Sequence, residues 1–197
     1  LWGTGTSRID VLDTGYDGRT NVLVVGGAAT DDVFLLRKRL IALLSDRNAT
    51  TGLYGASEKV TYTDGINGSV IVNGNAGDDT FALDDTATIV TINGGSGNDR
   101  FRIGQLFTAY TADAEFGIPA AEFFTSTRGS LSNGISFPAT INGGTGDDVF
   151  EVFRNKASLT LNGDAGDDIF IIRTFVAESE VTAVNSGQGR DYIEYAT

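Results

Sequence analysis

The residues best suited to chemistry in this sequence are aspartates that directly follow glycine-rich stretches. The segment INGGTGDDVFEVF, residues 141–153, places three glycines before Asp147 and Asp148 and then alternates apolar with other side chains. The chain contains no Cys, His or Met, which excludes disulfides, thiol chemistry, the usual zinc ligands and His-based acid–base catalysis. Carboxylate and carbonyl oxygens remain, and these are the ligands that Ca²⁺ prefers.

Two other interpretations of such a turn compete with a metal loop. Glycine-rich turns after a strand also cradle phosphates at a helix N-terminus. Here no Gly-Lys-Ser/Thr follows, the adjacent aspartates would repel an anion, and the next residues alternate as a strand, so a phosphate site is disfavoured. A glycine–aspartate corner that needs no ion is the second alternative, and a single copy of the motif would favour it.

The glycine–aspartate stretch recurs along the chain. Five asparagines open the copies, the last of them looser: Asn73, Asn93, Asn142, Asn162 and Asn185. The steps between them are 20, 49, 20 and 23 residues. A unit of about 20 residues suits one coil of a parallel solenoid, with two strands of about five residues and two tight turns. Copies in register would stack their carboxylates into a repulsive column, which favours a bound cation over an ion-free corner.

Apolar residues flank each copy with a period of two, as in strands that bury one face. Two and four residues after the last Asp come Phe101 and Ile103 in one copy, and Phe150 and Val152 in the next. Coils stacked about 4.8 Å apart would align the aromatics into a Phe ladder and the leading asparagines into an amide ladder. The sequence therefore predicts an all-β fold, namely a parallel β-solenoid of the β-roll or β-helix kind with glycine-rich calcium-binding turns and one aromatic-rich insertion.

Two copies, GGTGDDVFE from Gly143 and GGSGNDRFR from Gly94, resemble the RTX (haemolysin-type) calcium-binding nonapeptide repeat, GGxGxDxUx with U apolar. Other copies depart from it by Asn75 or Asp164 in place of the second glycine, and SGQGRDYIE lacks the first glycine. The resemblance implies a parallel β-roll that holds about two to four Ca²⁺ ions between neighbouring turns. By the same resemblance the ligands are sixth-position aspartates and turn glycines: Asp79, Asp99, Asp148, Asp168, Asp191 and, with an extra residue in its copy, Asp32, together with Gly74, Gly77, Gly94, Gly95, Gly97, Gly143, Gly144, Gly146, Gly163 and Gly166.

The motif occupies only one of the two turns expected in each coil. The opposite turns read DDTATI from Asp84 and RNKASL from Arg154, without the glycine–aspartate spacing. We therefore expect a single column of calcium ions, with the other side free of metal.

The chain is expected to form one solenoid unit over residues 1–197 that belongs to a longer chain. Degenerate repeats occupy 1–36, an excursion follows at 37–69, and regular repeats span 70–197 with an insertion at 104–138.

Each of the two interruptions leaves alternatives open. Residues 33–46, VFLLRKRLIALLSD, form either two successive strands with a charged turn between them, which is favoured, or a short helix. The basic cluster in this stretch is better explained as a solvated turn than as a binding patch. The Phe-rich insertion, where PAAEFFTS favours a short helix, is either a lid over apolar surface or a partner-binding loop.

The amino-acid composition limits the classes of molecule that the chain is expected to bind. Asp and Glu number 26 against 14 Lys and Arg, a formal net charge of -12, so nucleic acid is not expected to bind. No apolar run approaches the roughly 20 residues of a membrane-spanning helix. The partners left open are calcium, self-association through the coil ends, and a cell-surface glycan or protein ligand.

The resemblance implies part of a large secreted bacterial protein that folds when it meets extracellular calcium. We therefore expect a calcium-binding structural or adhesive module outside the cell or at its surface, and not an enzyme. The alternatives are a subunit of an end-to-end stacked filament or surface layer, and a non-catalytic part of a secreted glycan-active enzyme.

Overall fold

The structure, a computed structural model, describes residues 6–13, 19–109, 118–127, 129–173 and 181–196. Strands and turns make up these ranges, apart from a short 3-10 helix at Ala120–Glu122 that follows Pro119. The strands, in chain order, are β1 (Arg8–Val11), β2 (Val22–Gly26), β3 (Val33–Arg37), β4 (Leu40–Arg47), β5 (Tyr54–Tyr62), β6 (Ser69–Ala76), β7 (Thr80–Leu83), β8 (Val90–Ser96), β9 (Arg100–Ile103), β10 (Phe124–Ser126), β11 (Gly129–Leu131), β12 (Ala139–Thr145), β13 (Val149–Val152), β14 (Leu159–Ala165), β15 (Ile169–Arg173), β16 (Thr182–Asn185) and β17 (Tyr192–Ala196). Among the residues described, no helix is long and apolar enough to cross a bilayer.

Two sheets built mainly of parallel strands dominate the described part of the chain. The smaller sheet has the order β16-β14-β12-β8-β6-β2, and the larger has the order β1-β5-β4-β3-β7-β9-β13-β15-β17. Apart from the β10–β11 hairpin, consecutive strands from β6 onward alternate between the two sheets, and their neighbours within each sheet are parallel. The predicted all-β class with parallel strands is confirmed.

The core between the sheets contains a column of phenylalanines. Phe101 pairs in register with Phe81 on one side and Phe150 on the other. Including Phe34 and Phe170 at its ends, the column has neighbouring ring centroids 4.6 to 5.1 Å apart in stacked arrangement. The predicted Phe ladder is therefore confirmed, and it begins one repeat earlier than the regular motifs. Burying each such ring contributes about 1.5–3 kcal/mol relative to leaving it exposed.

The excursion after β3 adds antiparallel strands to the larger sheet. β3 and β4 form a hairpin whose turn is Lys38–Arg39, β4 pairs antiparallel with β5, and β5 pairs parallel with β1. The strand interpretation of residues 33–46 is thus confirmed. Both faces of β4 are buried, because Ile41 and Leu43 join the main core while its other apolar residues join a second cluster. Such a run lacks the alternation that distinguishes a strand from a helix in sequence.

The insertion leaves and re-enters the repeat at one point, without changing the register of the strands around it. Gln105 and Leu131 form an antiparallel bridge at its base, and residues 132–138 run alongside the turn of the preceding repeat, where Gly134 donates its N–H to the Asp84 carbonyl at 3.0 Å. Phe107, near the start of the insertion, packs against the second apolar cluster on the outer face of the larger sheet. In its described part the insertion therefore covers apolar surface.

Candidate metal centre

The glycine–aspartate turns stack because the strands on either side of them pair in register. Asn142 pairs with Asn93 in one neighbouring strand and with Asn162 in the other, so equivalent residues of successive repeats lie in columns. Each asparagine Nδ2 donates to the Oδ1 of the asparagine one repeat earlier at 2.6 to 2.7 Å, from Asn185 back to Asn73. This is the predicted amide ladder, and it fixes the spacing of the turns that follow.

Positive backbone φ angles shape each turn at two positions. The fourth position of each motif is a glycine with φ between 111° and 146°: Gly77, Gly97, Gly146 and Gly166. At the second position Gly95 and Gly144 have φ of 119° and 112°, and Asn75 and Asp164 replace them with φ of 81° and 68°. Asn and Asp are the side chains that best tolerate the left-handed region. The departures from the nonapeptide pattern therefore preserve the shape of the turn.

The first glycine of each motif has no room for a side chain. A methyl group on Gly143 would overlap both the Oδ2 atom of Asp148 and the carbonyl oxygen of Gly163, which belongs to the next repeat. Gly74 and Gly94 meet the same combination, a carboxylate oxygen from their own repeat and a carbonyl oxygen from the next. Gly163 does too, with the Ser186 carbonyl in that role. Glycine at this position lets oxygens of successive repeats approach each other.

The sixth-position aspartates form a buried column. Oδ1 of Asp148 accepts the backbone N–H of Asp99 at 2.7 Å, and the backbone N–H of Asp148 donates to Oδ1 of Asp168 at 2.8 Å. The same bond links every step of the series Asp32, Asp79, Asp99, Asp148, Asp168 and Asp191. All six aspartates selected from the sequence are therefore brought together in one column.

The second carboxylate oxygen of the four central aspartates is buried without a partner. Among the described residues, nothing donates a hydrogen bond to Oδ2 of Asp79, Asp99, Asp148 or Asp168, and these residues are at most 1% exposed. Burial raises the pKa of Asp79 and Asp148 to about 7 and that of Asp99 to about 6; the backbone N–H bond opposes the shift, and neighbouring carboxylates add to it. Burial also raises the pKa of Asp168.

Each of these carboxylate oxygens and a carbonyl oxygen of the next repeat lie within 3 Å of the same point, the position that a Cβ would take on the first glycine. Two acceptors in such proximity repel each other unless a proton or a cation lies between them. At Asp79 and Asp148, where burial raises the pKa to about 7, the carboxyl is protonated about half the time at neutral pH, so a cation could take the place of the proton. In the described ranges no group of three or more carboxylates converges. Turn carbonyls would therefore have to supply most of the six to eight oxygens that Ca²⁺ takes.

The two end members of the column differ from the central four. The extra residue in the first copy lets the backbone N–H of Ala28 donate to Oδ2 of Asp32 at 2.6 Å, although burial still raises the pKa of Asp32. Asp191 is only half-buried and ends the column. The steps from Asp79 to Asp168 are consequently the ones that fit a cation best.

A second, exposed column lies beside the first and was not selected from the sequence. The fifth-position side chain of one repeat accepts the backbone N–H of the next: Asp147 donates to Asn98 at 2.8 Å, and Asp167 donates to Asp147 at 2.9 Å. The column comprises Asp31, Asp78, Asn98, Asp147 and Asp167. It ends at Arg190, whose side chain pairs with Asp167 at 2.8 Å. The sequence feature that could have predicted this second column is the acid or amide side chain that recurs just before the sixth-position Asp.

The opposite turn also holds buried carboxylates, but these have partners. Asp84 accepts from the Arg37 guanidinium and from the Phe107 backbone N–H, both at 2.8 Å. Asp85 accepts from Asn133 Nδ2 at 3.0 Å. Burial raises the pKa of Asp84 even so, and Arg37 opposes that shift. Asp84 and Asp85 thus have hydrogen-bond donors of the kind that Oδ2 of the four central aspartates lacks among the described residues.

The chain matches no protein-family model, no curated protein and no solved structure. The functional assignment therefore depends on the geometry of the turns.

Proposed function

We propose that this chain is a calcium-binding structural or adhesive module that acts outside the cell, with its repeats wound as a parallel β-solenoid of the RTX type. The observation that carries the proposal is the row of buried Oδ2 atoms of Asp79, Asp99, Asp148 and Asp168 that accept no hydrogen bond among the described residues. A polar atom is seldom buried without a partner, because its desolvation is then uncompensated.

Calcium would be held between successive turns by these aspartates together with turn carbonyls such as that of Gly163. When bound, the ion supplies the positive charge that the stacked carboxylates lack. The donor set contains only oxygens, as Ca²⁺ requires. Because a formed site does not exist in the unfolded chain, binding free energy adds to folding free energy. Extracellular calcium would then favour the folded state.

We assign no catalytic role to this module. Each of the four central carboxylates of the column accepts a backbone N–H of the neighbouring repeat and packs against a glycine of its own turn. Such carboxylates are suited to holding an ion, because a general acid or base must reach a substrate proton at hydrogen-bond distance.

Thermal unfolding in EDTA, excess calcium and excess magnesium tests the proposal. A ligand at 100 times its Kd stabilises the folded state by about 2.7 kcal/mol per site, which raises Tm by several degrees for a chain of this length. Magnesium, which demands a tighter octahedral shell, is expected to have a smaller effect. Equal midpoints in EDTA and calcium would rule out calcium binding to the folded chain.

End-to-end self-association is a second candidate function, favoured by the apolar character of the terminal strands. Val22 and Val24 on β2 and Tyr195 on β17 are exposed, and Ile193, which continues the Phe column, is 54% exposed. Exposed apolar edge strands are templates for pairing with another chain. Sedimentation at several protein concentrations tests this with Ile193→Lys, which should lower the mass of any assembly. Ile89→Lys, at an exposed position away from the ends, is the control; a monomer at every concentration would refute the candidate.

A further inference from the structure

The chain carries two Asn-x-Ser/Thr triplets outside the glycine–aspartate turns. They begin at Asn48, followed by Ala49 and Thr50, and at Asn67, followed by Gly68 and Ser69. In secreted proteins the side-chain amide nitrogen of such an Asn is the acceptor for an N-linked glycan. A triplet this short also occurs by chance, so its structural setting decides whether it can be modified. The two triplets differ in that setting.

The first triplet occupies the loop that joins β4 to β5. Residues 46–51 are all exposed. The loop is closed by its own backbone: the Asn48 N–H donates to the Leu53 carbonyl, and the Gly52 N–H donates to the Asn48 carbonyl, both at 2.8 Å. An enzyme can therefore reach this triplet from solvent without separating any pair of strands. Exposed hairpin loops are the places where a fold best tolerates an added group.

The side chain of Asn48 is held in one orientation by its oxygen. Oδ1 accepts the backbone N–H groups of Thr50 and Thr51, both at 2.9 Å, which forms an Asx turn. The nitrogen Nδ2 has no hydrogen-bond partner among the described residues, and neither has the Thr50 hydroxyl. The atom that would carry the glycan and the hydroxyl that completes the triplet are thus both available to a transferase.

The second triplet is tied to a distant part of the chain. Oδ1 of Asn67 accepts the Asn21 backbone N–H at 3.0 Å, and Nδ2 donates to the Arg19 carbonyl at 3.2 Å. Ser69 is the first residue of β6 and pairs in register with Val22 of β2. A sugar on Nδ2 would break the bond to Arg19 and enter the contact between these segments. Asn67 is therefore a built-in comparison for Asn48.

The β4–β5 loop lies on the glycine side of the repeats, at their N-terminal end. A cavity of about 360 Å³ at its base is lined by Asp46 and Arg47 and also by Asp31 and Asp32. Asp32 is the end member of the buried column, and the four central aspartates belong to later repeats. A glycan on Asn48 consequently does not compete with the proposed calcium sites.

We propose that Asn48 is an N-glycosylation site and that Asn67 stays unmodified in the folded chain. The donor is an oligosaccharide joined through a diphosphate to a polyprenyl lipid. Nδ2 of Asn48 loses one proton to a base of the transferase and forms a bond to C1 of the first sugar. The bond between C1 and the diphosphate oxygen breaks, and the lipid diphosphate leaves with the bonding electron pair. In the cell this step rests on the extracellular role proposed above, because N-linked glycans belong to secreted proteins.

The test incubates the full folded chain, in excess calcium, with a purified oligosaccharyltransferase and its lipid-linked oligosaccharide. An acceptor peptide in the same mixture shows that the enzyme is active, and mass spectrometry of the intact chain and of its peptides locates the glycan. We expect a glycan on Asn48 and about tenfold less on Asn67, because modification there must first break two side-chain hydrogen bonds. Ser69→Thr is the matched control: it gives both triplets the same third residue, and Asn67 should still lag behind Asn48.

Thr50→Ala removes the hydroxyl of the first triplet but keeps Asn48, and it should abolish the glycan. Three results would overturn the proposal: no glycan on Asn48 of the folded chain, equal occupancy of Asn48 and Asn67 in Ser69→Thr, or an undiminished glycan in Thr50→Ala. Circular dichroism of each variant checks that the fold is retained. The readout is a mass and calcium is in excess throughout, so failure here is distinguishable from failure of the calcium proposal, which the melting comparison tests separately.

Discussion

Replacing Asp148 with Asn should stabilise the metal-free protein at neutral pH. Burial raises the pKa of this carboxyl from its ordinary value of 3.8 to about 7. A shift of one pKa unit corresponds to about 1.4 kcal/mol, so the folded state loses roughly 4 kcal/mol of stability from this group between acid pH and pH 7. An amide carries no charge, and its Nδ2 can donate toward the nearby Gly163 carbonyl. We expect a gain of about 2–4 kcal/mol, which corresponds to a rise in Tm of roughly 5–15 °C.

The assay is thermal unfolding in EDTA at pH 7 and again at about pH 2.5, where the wild-type carboxyl is almost fully protonated in both the folded and the unfolded state and the advantage of the variant should disappear. Asp147→Asn is the matched control. This neighbour is exposed, and the equivalent position in the preceding repeat already holds Asn98 with the same hydrogen bond, so little change is expected. In excess calcium the Asp148→Asn variant should gain less stability than the wild type.

Two results would refute this reasoning. A lower Tm for Asp148→Asn than for the wild type in EDTA at pH 7 would show that the carboxylate is not a source of instability. A gain of equal size at pH 2.5 would show that the amide stabilises through its hydrogen bond rather than by removing a buried charge.

Three further predictions concern the same column and its core. In EDTA, stability should fall as the pH rises from about 4 to about 7. The folded-state pKa of groups such as Asp79 is raised, so the stability they contribute is fully present below the unfolded-state pKa and is lost as the pH rises to the folded-state pKa. A rise in stability across this range, measured by urea titration, would contradict the prediction. Gly143→Ala should lower Tm strongly, because the added methyl group would overlap two oxygen atoms. Gly55→Ala should be tolerated, because the nearest atom to its added methyl group would lie 3.5 Å away. Equal effects of the two substitutions would argue against the packed turn. Phe101→Ala should lower the free energy of unfolding by about 3–5 kcal/mol, and Phe137→Ala, 44% exposed, should lower it far less; similar losses in chemical denaturation would contradict the stacked column.

Sequence reasoning succeeded where one repeat predicts the next. Once Phe101 and Phe150 occupy equivalent positions, parallel pairing in register must stack them, and the same logic places Asp99 beside Asp148. The structure adds that Asn75 and Asp164 do not interrupt the pattern, since both adopt the positive φ that the turn needs. Pattern arguments were weaker for β4, whose two buried faces remove the alternation that marks a strand.

The parts that sequence did not predict depend on contacts between distant segments. Asp84 is satisfied by Arg37, 47 residues earlier, and by Phe107 in the insertion. No spacing in the sequence indicates that pairing. The contact of Lys38, in the β3–β4 turn, with Glu122 of the insertion is of the same kind, and the sequence favoured a solvated turn for this basic cluster. The exposed fifth-position column, in contrast, was visible in the repeated acid or amide before each inner Asp.

The most direct test of calcium binding between the turns is an anomalous difference map from crystals grown in excess calcium. The account predicts peaks in a single column between successive glycine–aspartate turns, each next to Oδ2 of Asp79, Asp99, Asp148 or Asp168. A map without peaks in that column, or with calcium only at the opposite turn, would contradict it.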